Sequence, residues 1–391
     1  MEQLKLRTLE ISGTPRERGR QYGQGAADLI TKAISFYTEA FDQQLGRSWE
    51  GMRERAAAWV PLCAEKAPEI MEEIAGIAEG AGVQMLDILL LNLRGEVIYD
   101  AAALPAPDED EVEGCTSFAL LDSASGDGHV YAGQNWDWRH GTRDTVLILR
   151  VVQDPLPTLI MQVEAGQIGR HGANSAGIAL NANGLGGRFG TALGLPQTFI
   201  RRMVLNQSEF ADALNTLVRT KTHIASNALL TFADGFAIDV ETTPGRSGWM
   251  YPTNGLLVHG NHYQAFIPAQ LAESYQPVSV DSLFRVPRTE AGLSQVRMAT
   301  DSQQARQLIH QAMSDHLGYP ESVCTHPDVR RPEVRQWSTL LSSCIDLTTG
   351  EYFIAPGNPC TNDYQILPWN VLDGPGSRNS IAMGTTKENA S

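Results

Sequence analysis

Basic residues are scarce in this 391-residue chain: 30 Lys and Arg stand against 45 Asp and Glu, a formal charge of −15. Phosphate backbones and anionic bilayers are held by Lys and Arg clustered on one face. Nucleic acid and membrane are therefore excluded as partners, and a small neutral or cationic ligand fits better. Long apolar runs are lacking too. Nothing approaches the ~20 residues needed to span a bilayer, and residues 1–13 alternate charged and apolar side chains without the apolar core of a secretion signal. A soluble, cytoplasmic protein is expected. Cysteines number only five (Cys63, Cys115, Cys324, Cys344, Cys360), with no CxxC pair. Neither a disulfide framework nor a zinc ribbon is suggested, and a reducing compartment suits them. No GxGxxG follows a strand and no P-loop is present, so those nucleotide sites are excluded and no cofactor is expected. What remains is a globular chain with 42% apolar residues, enough for a sizeable core.

The stretch around which the chain is organised is Glu113-Gly114-Cys115-Thr116-Ser117-Phe118, followed after a turn by Gly133-Gln134-Asn135-Trp136-Asp137-Trp138. Upstream, residues 4–11 alternate as a half-buried strand. Thr14, Pro15 and Glu17 then form a capping-box helix start, and the helix is expected to run to about residue 41. Gly19 and Gly23 in its first turns each cost ~1 kcal/mol relative to Ala, which implies a close approach by a packed helix or, less simply, a ligand. Residues 53–79 are helical with a stripe of Ile70, Ile74 and Ile77, divided at Pro61 and Pro68 and ended by Gly80 and Gly82. A third apolar segment, 86–93, precedes Arg94 and Glu96, which read as a structural ion pair or as substrate-orienting groups. An acidic, proline-bearing linker over 105–113 closes this mainly helical part, residues 1–114.

Strands then dominate residues 115–391. Residues 116–121 and 129–136 form a hairpin about a Ser/Gly/Asp turn, which brings the start of one strand, Cys115, beside the end of the other, Asp137. Further strands are expected over 145–152, 158–163, 178–183, 228–241 (a hairpin about Asp234-Gly235), 255–259, 340–345 and 352–355. Helices are expected over 196–205, 209–220 with Ser208 as cap, and 303–313, and the tail beyond about 375 is polar. Blocks of strands alternating with blocks of helices favour an α+β fold with antiparallel sheets.

If the bond between Gly114 and Cys115 is cut, Cys115 carries a thiol and a free α-amine on one residue: a nucleophile with its own base. A thiol near 8.5 and an amine near ~7.7–8 are matched for proton transfer. The cut can be intramolecular, the thiol attacking the Gly114 carbonyl and shifting the acyl group from nitrogen to sulfur before water releases it. Gly114 suits this because a residue without Cβ permits a strained backbone. Asp137 can hold the new ammonium or the thiol by a charge-assisted hydrogen bond. Asn261, at a strand end, can donate to a tetrahedral oxyanion, a contact worth ~2.7–4 kcal/mol. The same residues also admit plain readings: a buried thiol, a turn cap and a backbone-bonding amide. His259 and His262 sit three apart on a strand-to-loop junction, not a helix, so no zinc pair is expected there.

With those residues in view the chain resembles the acyl-coenzyme A:6-aminopenicillanic acid acyltransferase family of self-processing cysteine N-terminal-nucleophile hydrolases. The resemblance rests on ordered stretches: Gly13-Thr14-Pro15 with Gly19 and Gly23, Leu91 to Glu96, Gly114-Cys115-Thr116, Gly133 to Asp137, Asn174 to Gly177, and His259-Gly260-Asn261-His262. It implies a four-layer αββα sandwich and cleavage before Cys115 into associated α (1–114) and β (115–391) chains. It also implies Cys115 as nucleophile, Asp137 as catalytic carboxylate and Asn261 as oxyanion donor. Where the family commonly has Arg after the cysteine of a Ser-Ile-Cys stretch, this chain has Thr325 after Ser322-Val323-Cys324. Arg330, Arg331 and Arg335 are the nearby substitutes.

The expected function is hydrolysis of a small N-acyl amide through an acyl-thioester on Cys115. Acyl transfer from coenzyme A or an amide to a small amine is the alternative. An uncut, non-enzymatic ligand-binding protein is the second, motivated by Thr325. The expected partners are a small amide or thioester substrate, the two chains of one precursor, and further copies of that αβ unit.

Overall fold

The computed structural model describes residues 6–99, 114–187, 189 and 192–377. The expected acidic linker, and the tail from residue 378, lie outside the described residues. In chain order the elements are β1 (Arg7–Ser12), α1 (Pro15–Gly25), α2 (Ala27–Leu45), α3 (Trp49–Ala56), α4 (Val60–Lys66), α5 (Pro68–Ala81) and α6 (Met85–Tyr99), then β2 (Gly114–Leu120), β3 (Tyr131–Arg139), β4 (Val146–Val152), β5 (Leu159–Glu164), β6 (His171–Asn174) and β7 (Ile178–Gly184). After these come α7 (Gln197–Leu205), α8 (Phe210–Arg219), β8 (Ser226–Phe232), β9 (Phe236–Thr242), β10 (Ser247–Met250), β11 (Leu256–His259), α9 (Ser282–Leu293), α10 (Ser302–Met313), β12 (Trp337–Asp346), β13 (Glu351–Pro356) and β14 (Gln365–Ile366).

Two sheets result: eight strands in the order β1-β4-β5-β6-β7-β8-β9-β10 and six in the order β11-β2-β3-β12-β13-β14. Only β1 with β4 is parallel; every other named pair is antiparallel. Three buried clusters define four layers. One fills the space between the outer face of the larger sheet and the helices from α1 to α8. A second lies between the sheets, joining Cys115, Trp136 and Leu341 to Ile148, Ile160 and Ala179. The third seals the smaller sheet beneath α9 and α10. The fold is thus the expected αββα sandwich of class α+β, with alternate residues of each inner strand serving different cores.

The capping box at Thr14 is present: its side chain takes the Glu17 N–H, and the Glu17 carboxylate takes the Thr14 N–H at 2.9 Å. The helix stops earlier than expected, however, because Ala26 leaves helical geometry (φ −129°, ψ 18°) and redirects the chain into α2. Gly19 and Gly23 mark a backbone contact with α5. A Cβ on Gly19 would lie 2.1 Å from the Glu73 carbonyl oxygen, and one on Gly76 would lie 2.3 Å from that of Arg16. Deeper in this layer Glu73 is buried against Arg202, with both oxygens engaged at 2.8 and 2.9 Å, and against Arg18 at 3.1 Å. Three helices are thereby tied by one carboxylate. Ser208 does not cap α8: its N-cap is Glu209, which makes no side-chain cap bond.

Candidate active site

The β2–β3 ladder sets Gly114 opposite Asp137 and Cys115 opposite Trp136. Paired residues in an antiparallel ladder share a face and successive ones alternate. Cys115 therefore points with Trp136 into the core between the sheets, fully buried, whereas Asp137 points with Asn135 towards the α9–α10 layer. The thiol and the carboxylate lie on opposite faces. Sγ meets Asp137 only at its backbone carbonyl, 3.9 Å away. The carboxylate instead lies beside Gly114, next to the bond expected to break. Gly114 itself is not strained: it is extended in β2 without a positive φ, and a Cβ there would stand 3.6 Å from the Asp137 Cβ, an ordinary contact. Backbone strain is thus not what glycine supplies here.

Asp137 Oδ1 accepts from Thr339 Oγ1 at 2.6 Å, and Oδ2 lies 3.2 Å from Thr325 Oγ1. Burial drives its pKa from 3.8 up to about 7, the nearby Arg285 charge and the Thr339 hydroxyl offsetting only part of that rise. A protonated carboxyl suits the geometry. Its Oδ2–H can donate to Thr325, whose own proton then goes to the Ser322 carbonyl 2.8 Å away. Thr325 thus occupies the expected guanidinium position as a hydrogen-bond relay.

Asn261 follows β11 and is buried. Its Oδ1 accepts the Cys115 backbone N–H at 2.8 Å and Arg285 Nη2 at 2.9 Å, so the amide orientation is set by two donors; its Nδ2 donates to the Gly184 carbonyl at 3.0 Å. The Asn261 N–H is held by Ser282 Oγ at 2.6 Å. His259 and His262 turn to different partners, Glu241 and Ser282.

The guanidinium sought near Cys115 comes from an element the sequence did not disclose. Arg285, on α9, donates Nη1 to the Cys115 carbonyl at 2.8 Å and to Thr116 Oγ1 at 2.7 Å, and its Nε to Asp281 at 2.5 Å. Arg330 and Arg331 pair instead with Asp328 and Glu321, and Arg335 lies in a 3₁₀ turn before β12. Pro287 inside α9 hides the helix from a reading by breakers. The only signal was the Asp281/Arg285 spacing of four, which is now an ion pair.

Beside this centre a pocket of about 60 Å³ is lined by residues that include Arg94, Glu96, Trp138, Arg170, Gly184 and Arg201. Gly184 joins it to Asn261, and Trp136, opposite Cys115, lies 4.1 Å beneath the Arg170 guanidinium. Arg94 forms its ion pair with Glu164 at 3.3 Å, and Glu96 accepts the Gln197 N–H at 2.7 Å. Burial raises Glu96 to about 7.

A family model described as acyl-coenzyme A:6-aminopenicillanic acid acyl-transferase matches residues 123–359, a stretch that holds Asp137 and Asn261 and begins after Cys115. The chain belongs to that family. Over 251 residues it is 31% identical to the acyl-coenzyme A:6-aminopenicillanic-acid-acyltransferase 40 kDa form of Emericella nidulans, covering 64% of this chain and 67% of that one. An uncharacterized protein of Archaeoglobus fulgidus is 24% identical over 360 residues, covering 80% of this chain and 58% of its own length. Among solved structures, penicillin V acylase from Agrobacterium tumefaciens aligns with a TM-score of 0.43 and 14% identity over 68% of this chain and 89% of that one. A mutant of conjugated bile acid hydrolase from Clostridium perfringens aligns at 0.41 and 13% over 66% and 97%. Membership makes the chain an enzyme of acyl-group chemistry, so the non-enzymatic binding reading is set aside. No single helix among the described residues is long and apolar enough to cross a membrane.

Proposed function

We propose that the chain is a self-processing N-terminal cysteine amidohydrolase. The observation that carries this is the setting of the Cys115 backbone nitrogen. Its N–H is held by Asn261 Oδ1 at 2.8 Å, and the Asp137 carboxyl lies beside Gly114, on the other side of the same peptide bond. This is the atom that must leave as an amine and then act as a base.

In the first reaction Sγ attacks the Gly114 carbonyl and the C–N bond breaks. The departing Cys115 nitrogen takes a proton, which Asp137, with its pKa near neutrality, is placed to give. Water then hydrolyses the resulting Gly114–Sγ thioester, releasing the Gly114 carboxylate and the Cys115 thiol beside the amine already freed. In the second reaction that amine takes the thiol proton as Sγ adds to a substrate carbonyl entering past Gly184. Asn261 Nδ2, which meets the Gly184 carbonyl in the unliganded chain, turns to the oxyanion. The substrate amine departs with a proton and water resolves the thioester. Residues 1–114 remain as the α chain.

Acyl transfer to an amine is the second reading, supported by the name of the Emericella nidulans relative. Both share the thioester and differ in what resolves it. The test is product partition for small N-acyl amides, with and without an added amine, using Cys115→Ala as blank. Thiol-dependent release of free acid at high amine supports the hydrolase. Exclusive formation of the new amide overturns it in favour of transfer.

A further inference from the structure

Away from the pocket, four side chains from three separate segments converge: His316, Cys324, His326 and Cys360, with all four donor atoms within 4.8 Å of one another. Nothing in the chemistry of Cys115 uses them. We propose that they form a structural zinc site.

The spacing supports four ligands of one ion. Zinc–sulfur bonds of ~2.3 Å and zinc–nitrogen bonds of ~2.0–2.1 Å at tetrahedral angles place two nitrogens ~3.3 Å apart and a sulfur ~3.6 Å from a nitrogen. His316 Nε2 and His326 Nε2 are 3.1 Å apart, and His326 Nε2 is 3.6 Å from Cys324 Sγ and 3.4 Å from Cys360 Sγ. Two imidazoles and two thiols form a soft donor set that selects zinc over calcium or magnesium. Four protein ligands leave no open position, which marks a structural rather than a catalytic ion. The surroundings also fit. Asn358 Nδ2 donates to Cys324 Sγ at 3.4 Å, as outer groups do around metal-bound sulfur, and the same amide reaches the Thr325 carbonyl at 2.6 Å. The wide sequence separation of Cys324 and Cys360 conceals the set; the fold alone assembles it.

The position gives the ion a task. Thr325 lies between two of the ligands and reaches Asp137 Oδ2. A zinc ion would join its segment to the loop after β13 and so hold that hydroxyl in place. Binding converts the two thiols to thiolates, with the protons released to solvent.

The test uses the full chain, purified under reducing conditions without chelator, equilibrated with zinc alone, desalted and analysed for metal. About one zinc per chain is expected, with cobalt substitution giving the absorption of a tetrahedral thiolate site. His316→Ala, a change at an exposed side chain, and Cys360→Ser should each weaken zinc binding by more than the ~10–100-fold that outer-shell changes cost. Circular dichroism checks that both variants remain folded. Cys115→Ala should keep its zinc, which separates this result from any failure of self-cleavage. The proposal is overturned by wild-type protein that takes up no zinc, by equal uptake in folded His316→Ala and Cys360→Ser, or by a Cys324–Cys360 disulfide found in place of the metal.

Discussion

Two charged residues stand beside the Gly114–Cys115 bond, Asp137 and Arg285. Asp137 shifts upward from 3.8 to about 7 because it is buried. Between those values the folded chain keeps a proton that the unfolded chain has lost, so stability falls as pH rises through that window and stays lower above it. In a Cys115→Ala background, Asp137→Asn should therefore raise stability relative to its parent at about pH 8 and leave it nearly unchanged at about pH 4. At ~1.4 kcal/mol per pH unit the gain amounts to a few kcal/mol. Urea unfolding at the two pH values measures it, and a gain confined to low pH would contradict the assignment. Arg285 is the second residue. Its fork joins the Cys115 carbonyl to Asn261 Oδ1, which the point charge of a lysine cannot reproduce. Arg285→Lys should slow self-cleavage roughly tenfold or more for each charge-assisted bond lost, read as a time course on denaturing gels. Unchanged kinetics would make Arg285 a merely structural cation.

At the scale of elements, local chemistry accounts for what was legible. The capping box at Thr14 and the stripe of Ile70, Ile74 and Ile77 gave α1 and α5, and the turn between residues 121 and 131 brought Gly114–Cys115 beside Trp136–Asp137. Readings failed where tertiary contacts decide. Pro287 concealed α9 and with it Arg285, and alternation along β2 and β3 sends the Asp137 carboxylate away from the thiol, which adjacency in a hairpin does not reveal. The glycines of α1 were legible as a close approach, but not their partner. Gly19→Ala and Gly76→Ala drive a methyl into carbonyl oxygens of the facing helix, and each should cost about 1–3 kcal/mol. Because they share one contact, the double variant should lose less than the sum. Urea midpoints decide; an unchanged midpoint for either single variant would mean that α1 and α5 are not this close.

For the whole molecule the question is what a cut after Gly114 leaves behind. Residues before it supply β1 at the edge of the larger sheet, Glu73, whose carboxylate accepts from Arg18 and from Arg202, and the Tyr37 hydroxyl that accepts from Trp138 Nε1 at 2.7 Å. The two fragments should therefore co-elute in native size exclusion and part only in denaturant. Breaking the buried Glu73 contacts by Glu73→Ala should cost ~3–5 kcal/mol and loosen that association. The decisive measurement is the intact mass of the purified chain under denaturing conditions, beside Cys115→Ala. Self-cleavage at Cys115 requires two wild-type fragments of roughly 12 and 30 kDa by chain length, the larger beginning at Cys115, and a single uncut chain in the variant. A single uncut wild-type chain that nonetheless turns over amides, or fragments of the same size in Cys115→Ala, would contradict it.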